Sequence, residues 1–210
     1  MVVKKQLILG VGLSLALLVS ARLTQAQPRA AGSYTLGEEV APFSLKNVDE
    51  RTISLADYKT QRGVIVVFTS NHCPFFKAYE DRILALDRKF GPQGFPVLAI
   101  MSGDQALYED DTFAQMQVRA QAKNYTFPYL HDGVRAVARS FGATRTPQVY
   151  VLKRSGDRFT VEYVGSVDNS PQDPANVQRA YVDEAVTSLL ASKPVVTPLT
   201  KAIGCAIKTN

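Results

Sequence analysis

The chain has 210 residues, a formal net charge of +5 and two cysteines, Cys73 and Cys205. No dense Lys/Arg stripe is present, so nucleic acid is not expected as a partner. Cys-x-x-Cys pairs and clustered histidines are absent, which leaves no zinc-type ligand set; neither a metal nor an organic cofactor is expected.

Met1 to Lys5 is short and positive, and Gln6 to Ala21 carries no charge and is rich in Leu, Val and Gly. Small residues at Val19/Ala21 or Thr24/Ala26 suit a signal peptidase, so residues 1–26 are expected to be a secretory signal peptide. The uncharged run falls short of the roughly 20 residues of a spanning helix. Membrane contact is therefore expected only through this segment before cleavage. Removing residues 1–26 leaves 184 and lowers the net charge from +5 to +2, because Lys4, Lys5 and Arg22 go with no acid. The expected location is outside the cytoplasm: the periplasm of a Gram-negative cell, otherwise secreted. Such compartments are oxidising, so the two thiols can form one bridge, a redox couple or two separate free thiols.

The rest suits one domain: a flexible lead-in over 27–37, an α/β domain over 38–192 and a tail over 193–210. Val40 to Leu45 and Arg51 to Leu55 read as a β-hairpin around the polar turn Asn47 to Glu50. Val64 to Phe68, four β-branched residues and a phenylalanine, reads as an interior strand. A helix follows Cys73 with Phe76, Tyr79, Ile83, Leu86 and Phe90 on one face, and Gly91-Pro92 stops it. Phe95 to Met101 is a second buried strand. Asp111 or Thr112 caps a helix reaching about Asn124, with Phe113, Met116 and Ala120 inward. Phe127 to Leu130 is extended, and a helix with Val134, Val137, Ala138 and Phe141 inward ends at Gly142. Gln148 to Leu152 and Phe159 to Val164 form a hairpin around Ser155-Gly156-Asp157, and a last amphipathic helix covers about 177–192. This order of elements suits a central mixed sheet with helices on both faces.

Cys73 lies between the Val64–Phe68 strand and the helix, directly before Pro74. Proline suits the first helical turn, where a missing N–H costs nothing. A thiol at that corner meets unpaired N–H groups and the positive end of the helix dipole, which favour thiolate. Cys73 is thus the candidate nucleophile. His72 beside it is a source of positive charge or a proton, whereas His131 reads as a surface turn residue. Cys205 has three readings: resolution of an oxidised Cys73, a permanent bridge to it, or simple packing.

The chain resembles the thioredoxin superfamily, and within it an exported, peroxiredoxin-like single-cysteine group of the AhpC/TSA–redoxin type. The likeness is carried by Val40-Ala41-Pro42-Phe43-Ser44-Leu45, by the Asn71-His72-Cys73-Pro74 signature, by Glu80-Asp81-Arg82, by Phe127-Pro128-Tyr129-Leu130, by Thr146-Pro147 and by the ending Ile203-Gly204-Cys205-Ala206-Ile207-Lys208. It implies a thioredoxin fold with an N-terminal β-hairpin and a C-terminal tail, with Cys73 at the first cysteine of the Cys-x-x-Cys motif. Phe76 then stands where the usual resolving thiol would be, and Val67 where thioredoxins bury an aspartate. The resemblance also implies that Pro147 follows a cis peptide bond, with the Thr146-Pro147 backbone beside the nucleophile. Against the peroxiredoxin pattern, Ser70 fills the hydroxyl position, Val66 replaces a proline, and Arg145 is out of register with the peroxidases' arginine.

The expected function is thiol–disulfide exchange through Cys73 on a protein or small-molecule substrate, with Cys205 or an external thiol reductant resolving the product. Peroxide reduction through a sulfenic acid at Cys73 is the alternative. A redox-inert or Cu(I)-handling binding module is the third.

Overall fold

The computed structural model describes residues 32–208; the expected signal peptide over 1–26 lies outside them. Its main sheet has seven strands in the order β2-β1-β5-β4-β3-β7-β8. These are β1 (Ser44–Asn47), β2 (Thr52–Ser54), β3 (Gly63–Thr69), β4 (Val97–Met101), β5 (Tyr129–His131), β7 (Gln148–Ser155) and β8 (Arg158–Gly165). A second, two-stranded sheet pairs β6 (Arg145–Thr146) with β9 (Cys205–Ala206). β3 runs parallel to β4, and β4 to β5, while β7 and β8 are antiparallel additions beside β3 and β1 and β2 beside β5.

All seven residues of β3 are buried because both faces of the sheet are covered. Ile65 and Val67 point into a core built with α1 (Pro74–Phe90), α2 (Phe113–Ala122) and α4 (Tyr181–Leu190). Val64, Val66 and Phe68 point into the opposite core with α3 (Ala136–Phe141), Val40 and Leu55. Each side chain of this size contributes about 1.5–3 kcal/mol on full burial, so the run fixes β3 at the centre. The expected inner face of α1 is buried throughout.

Several local expectations are corrected. The N-terminal hairpin starts at Ser44; Val40 instead bonds the Phe159 carbonyl beside β8. Val134 was expected inward but is 74 % exposed, because Arg135 takes a left-handed φ of 57° and α3 begins only after it. α4 spans Tyr181–Leu190, a turn shorter at its start than expected. Within the expected lead-in, Tyr34 is buried and its ring meets Phe141 edge-on at 5.0 Å. Residues past α4 run back along the domain: the Thr200 hydroxyl bonds Tyr163 Oη at 2.6 Å and accepts the Ser166 N–H, and Val164 bridges Leu199.

α1 is pinned from its solvent side. Arg82 donates from Nη1 to Asp168 at 2.6 Å and to the Ser170 carbonyl, and from Nη2 to the Pro171 carbonyl. On another face, buried Glu80 accepts both arms of the Arg119 fork, at 2.8 and 2.9 Å, and the Tyr125 hydroxyl.

Candidate active site

Cys73 is the N-cap residue of α1, extended at φ −69° and ψ 118°, with Pro74 in the first turn. The β3–α1 corner therefore stands where the sequence puts it. Cys73 is 0 % exposed there, and its thiol donates to the Thr146 carbonyl at 3.0 Å.

β9 pairs antiparallel with β6, Cys205 opposite Thr146 and Ala206 opposite Arg145. The Thr146–Pro147 peptide bond is cis. Gly204 lies so close to it that a Cβ there would sit 2.1 Å from the Thr146 carbonyl oxygen. Ile207 is buried and its N–H donates to the Thr144 carbonyl, which holds the end of the strap.

Both cysteines are free thiols. Burial first, then contact with the Cys73 sulfur, push the Cys205 thiol up to about 12, while the backbone N–H of Phe75 pulls it the other way. Of the three readings of Cys205, a permanent bridge is not what the structure contains.

Ser70 and His72 meet a residue that sequence reasoning missed. Asp111 is fully buried and accepts from His72 Nδ1 at 2.6 Å, from the Ser70 hydroxyl at 3.0 Å and from the His72 backbone N–H at 3.2 Å. The Ser70 hydroxyl is therefore engaged by a buried carboxylate. The Tyr108 ring stacks on His72 with centroids 3.6 Å apart. Asn71 ties the corner down, donating to the Asp110 carbonyl at 2.8 Å and accepting the Tyr129 hydroxyl at 2.7 Å. Asp111 reads in sequence as a helix cap, but Thr112 takes the cap position of α2. His131 is likewise no turn residue: it ends β5, and burial lowers its pKa.

All six expected site residues, Ser70, His72, Cys73, Thr146, Pro147 and Cys205, thus converge on the β3–α1 corner and the β6–β9 pair. A cavity of about 310 Å³ opens there, with Ser70, His72, Tyr108, Thr146 and Cys205 in its wall. The Thr146 hydroxyl is buried without a hydrogen-bond partner. Among the described residues, no three His, Cys, Asp or Glu side chains gather into a metal-binding group.

Residues 36–158 match the AhpC/TSA family. The chain belongs to the AhpC/TSA family. It is 31 % identical to a hypothetical protein from Sinorhizobium meliloti, with 85 % of this chain and 97 % of that one covered at a TM-score of 0.77. It is 33 % identical to an uncharacterized conserved protein from Geobacillus kaustophilus, with 83 % and 92 % covered at 0.77. A peroxidoxin, BcpB from Mycobacterium tuberculosis, shares the fold at 19 % identity, with 75 % and 97 % covered at 0.56. No protein of curated function is detectably similar. The expected thioredoxin fold is the one these neighbours share, and AhpC/TSA membership supports a thioredoxin-like redox function.

Proposed function

We propose that this protein is an exported thiol–disulfide oxidoreductase of the single-cysteine AhpC/TSA type, with Cys73 as nucleophile and Cys205 as resolving thiol. The observation that carries the reading is the β6–β9 pair, which sets Cys205 opposite Thr146, whose carbonyl accepts the Cys73 thiol. Release of β9 uncovers Cys73, which attacks one sulfur of a protein or small-molecule disulfide; a mixed disulfide forms and one thiolate leaves. Return of β9 brings Cys205 onto the Cys73 sulfur, the second substrate thiol departs, and a Cys73–Cys205 disulfide remains. An external thiol reductant then restores both thiols. The Thr146-Pro147 backbone orients the incoming chain. Export to the periplasm, or secretion, supplies the substrates and rests on the sequence of residues 1–26.

The purified protein should reduce insulin disulfides with dithiothreitol as electron donor. Cys73→Ser should abolish turnover, and Cys205→Ser should accumulate the mixed disulfide as an adduct in intact-mass spectra. Undiminished turnover by Cys73→Ser would overturn the proposal. AhpC/TSA membership favours peroxide reduction as a second reading. Against it, Ser70 is committed to Asp111 and Arg145 is exposed on β6. Hydrogen peroxide consumption lost in Cys73→Ser would select that second reading.

A further inference from the structure

Asp111 and His72 form a pair whose open end faces the cavity beside Cys205. A carboxylate only accepts hydrogen bonds, so the 2.6 Å contact places the imidazole proton on Nδ1. Nε2 is then the basic nitrogen of the neutral ring. Among the described residues no hydrogen bond reaches Nε2, and the stacked Tyr108 ring holds the imidazole plane. His72 and Cys205 line one cavity, and Cys73 is not in its wall. Cys73 already has its acceptor at Thr146, whereas Cys205 must shed a proton before it can attack.

Charged groups surround this pair. Asp111 touches it, and neighbouring Asp110 is paired with Lys77 of α1 at 3.5 Å. Asp104 on the cavity wall is paired with Arg135 at 3.5 Å, and Lys208 of the tail lines the same wall with Tyr108 and Cys205. Burial first, then the neighbouring Cys73 sulfur and lastly the Asp111 charge oppose a thiolate on Cys205. A base is therefore needed to take the proton of that sulfur.

We propose that Asp111 positions His72 as the proton relay of Cys205. This deepens the disulfide-exchange reading above and rests on Cys205 as the resolving thiol. As Cys205 attacks the mixed disulfide at Cys73, its proton passes to His72 Nε2. The Cys73–Cys205 bond forms, the bond from Cys73 to the substrate sulfur breaks, and the departing thiolate takes the proton from His72. Both protein sulfurs are oxidised together, and the substrate disulfide ends as two thiols.

The test uses the full mature chain carrying a thionitrobenzoate adduct, made and mapped to Cys73 by peptide mass spectrometry at low pH. A pH jump then starts release of the coloured thiolate. The wild-type rate should rise through one inflection in the imidazole range and level off. His72→Gln should be at least about tenfold slower at neutral pH and climb about tenfold per pH unit toward the thiol range, without that inflection. Asp111→Asn should also slow release at neutral pH, because an amide both donates and accepts and no longer fixes the imidazole proton on Nδ1. Should Asp111→Asn not fold, His72→Gln decides alone, since that side chain is 21 % exposed. A His72→Gln profile superimposing on wild type, or lowered by one factor at every pH, would overturn the relay. Failure of wild type to release the thiolate, equal release by Cys205→Ser, or an adduct found only on Cys205 would instead overturn the role of Cys205.

Discussion

Gly204→Ala isolates the contact that closes the site. The added methyl would stand 2.1 Å from the Thr146 carbonyl oxygen, a backbone atom. Relief requires β9 to move off β6, and such overpacking costs about 1–3 kcal/mol. Cys73 is fully buried while β9 is seated, so a reagent reaches it only through the open state. A destabilisation of about 2 kcal/mol raises the open population roughly 25-fold, at tenfold per 1.4 kcal/mol. Iodoacetamide labelling of Cys73, followed by intact mass in a Cys205→Ser background, should accelerate by that factor. Near-UV circular dichroism should report an otherwise native domain. Equal labelling rates with and without Gly204→Ala would refute the idea that β9 is the lid over Cys73.

Three other outcomes follow from the same structure. Gly103→Ala places a methyl 2.0 Å from Asp111 Oδ2, so in the pH-jump experiment it should reproduce the Asp111→Asn profile; a wild-type profile would mean that the carboxylate keeps its hold on His72. Glu80→Ala leaves Arg119 without its buried partner, at a cost of about 3 kcal/mol. Calorimetry should then show a midpoint roughly 6–12 °C lower, and a negligible shift would count against a structural role for the pair. Burial lowers the His131 pKa below 6.5 in the folded state, outweighing nearby Asp132, and Nε2 has no partner. The unfolded chain therefore binds the extra proton first, and this residue's share of stability, full above pH 6.5, is lost as the pH falls below that value. His131→Gln should flatten the acid-side fall in the urea midpoint, and parallel curves for the two proteins would exclude this residue as the cause.

What the sequence revealed and what it hid divide along the range of the interactions. α1 was legible because its apolar period, Pro74 and Gly91 are all local, and the uninterrupted burial of β3 follows from its β-branched run. Val134 kept the helical period yet faces solvent, since the left-handed Arg135 delays the start of α3 and no periodicity registers a backbone angle. His72 and Cys73 were found together because they are adjacent, while Ser70, Thr146 and Pro147 were reached only through resemblance. Asp111 was illegible in this role: it lies in an acidic stretch before a helix, where a cap is the simpler reading, and its partners are some 40 residues away. The burial of Cys73 was hidden for the same reason, as the strand that covers it joins only after the chain has wrapped the domain.

The anchoring of α1 by Arg82 gives the two sides of the sulfur site unequal stiffness. The helical side is clamped to the Asp168–Pro171 loop, whereas the opposite side is held by a ladder of two residue pairs and the Ile207 bond to the Thr144 carbonyl. Bulk alone should then sort the reagents that enter. Slim electrophiles can find Cys205 through the opening beside Tyr108, while anything wide has to wait for the hinged side to swing. Chemical labels of graded girth would map that asymmetry sulfur by sulfur.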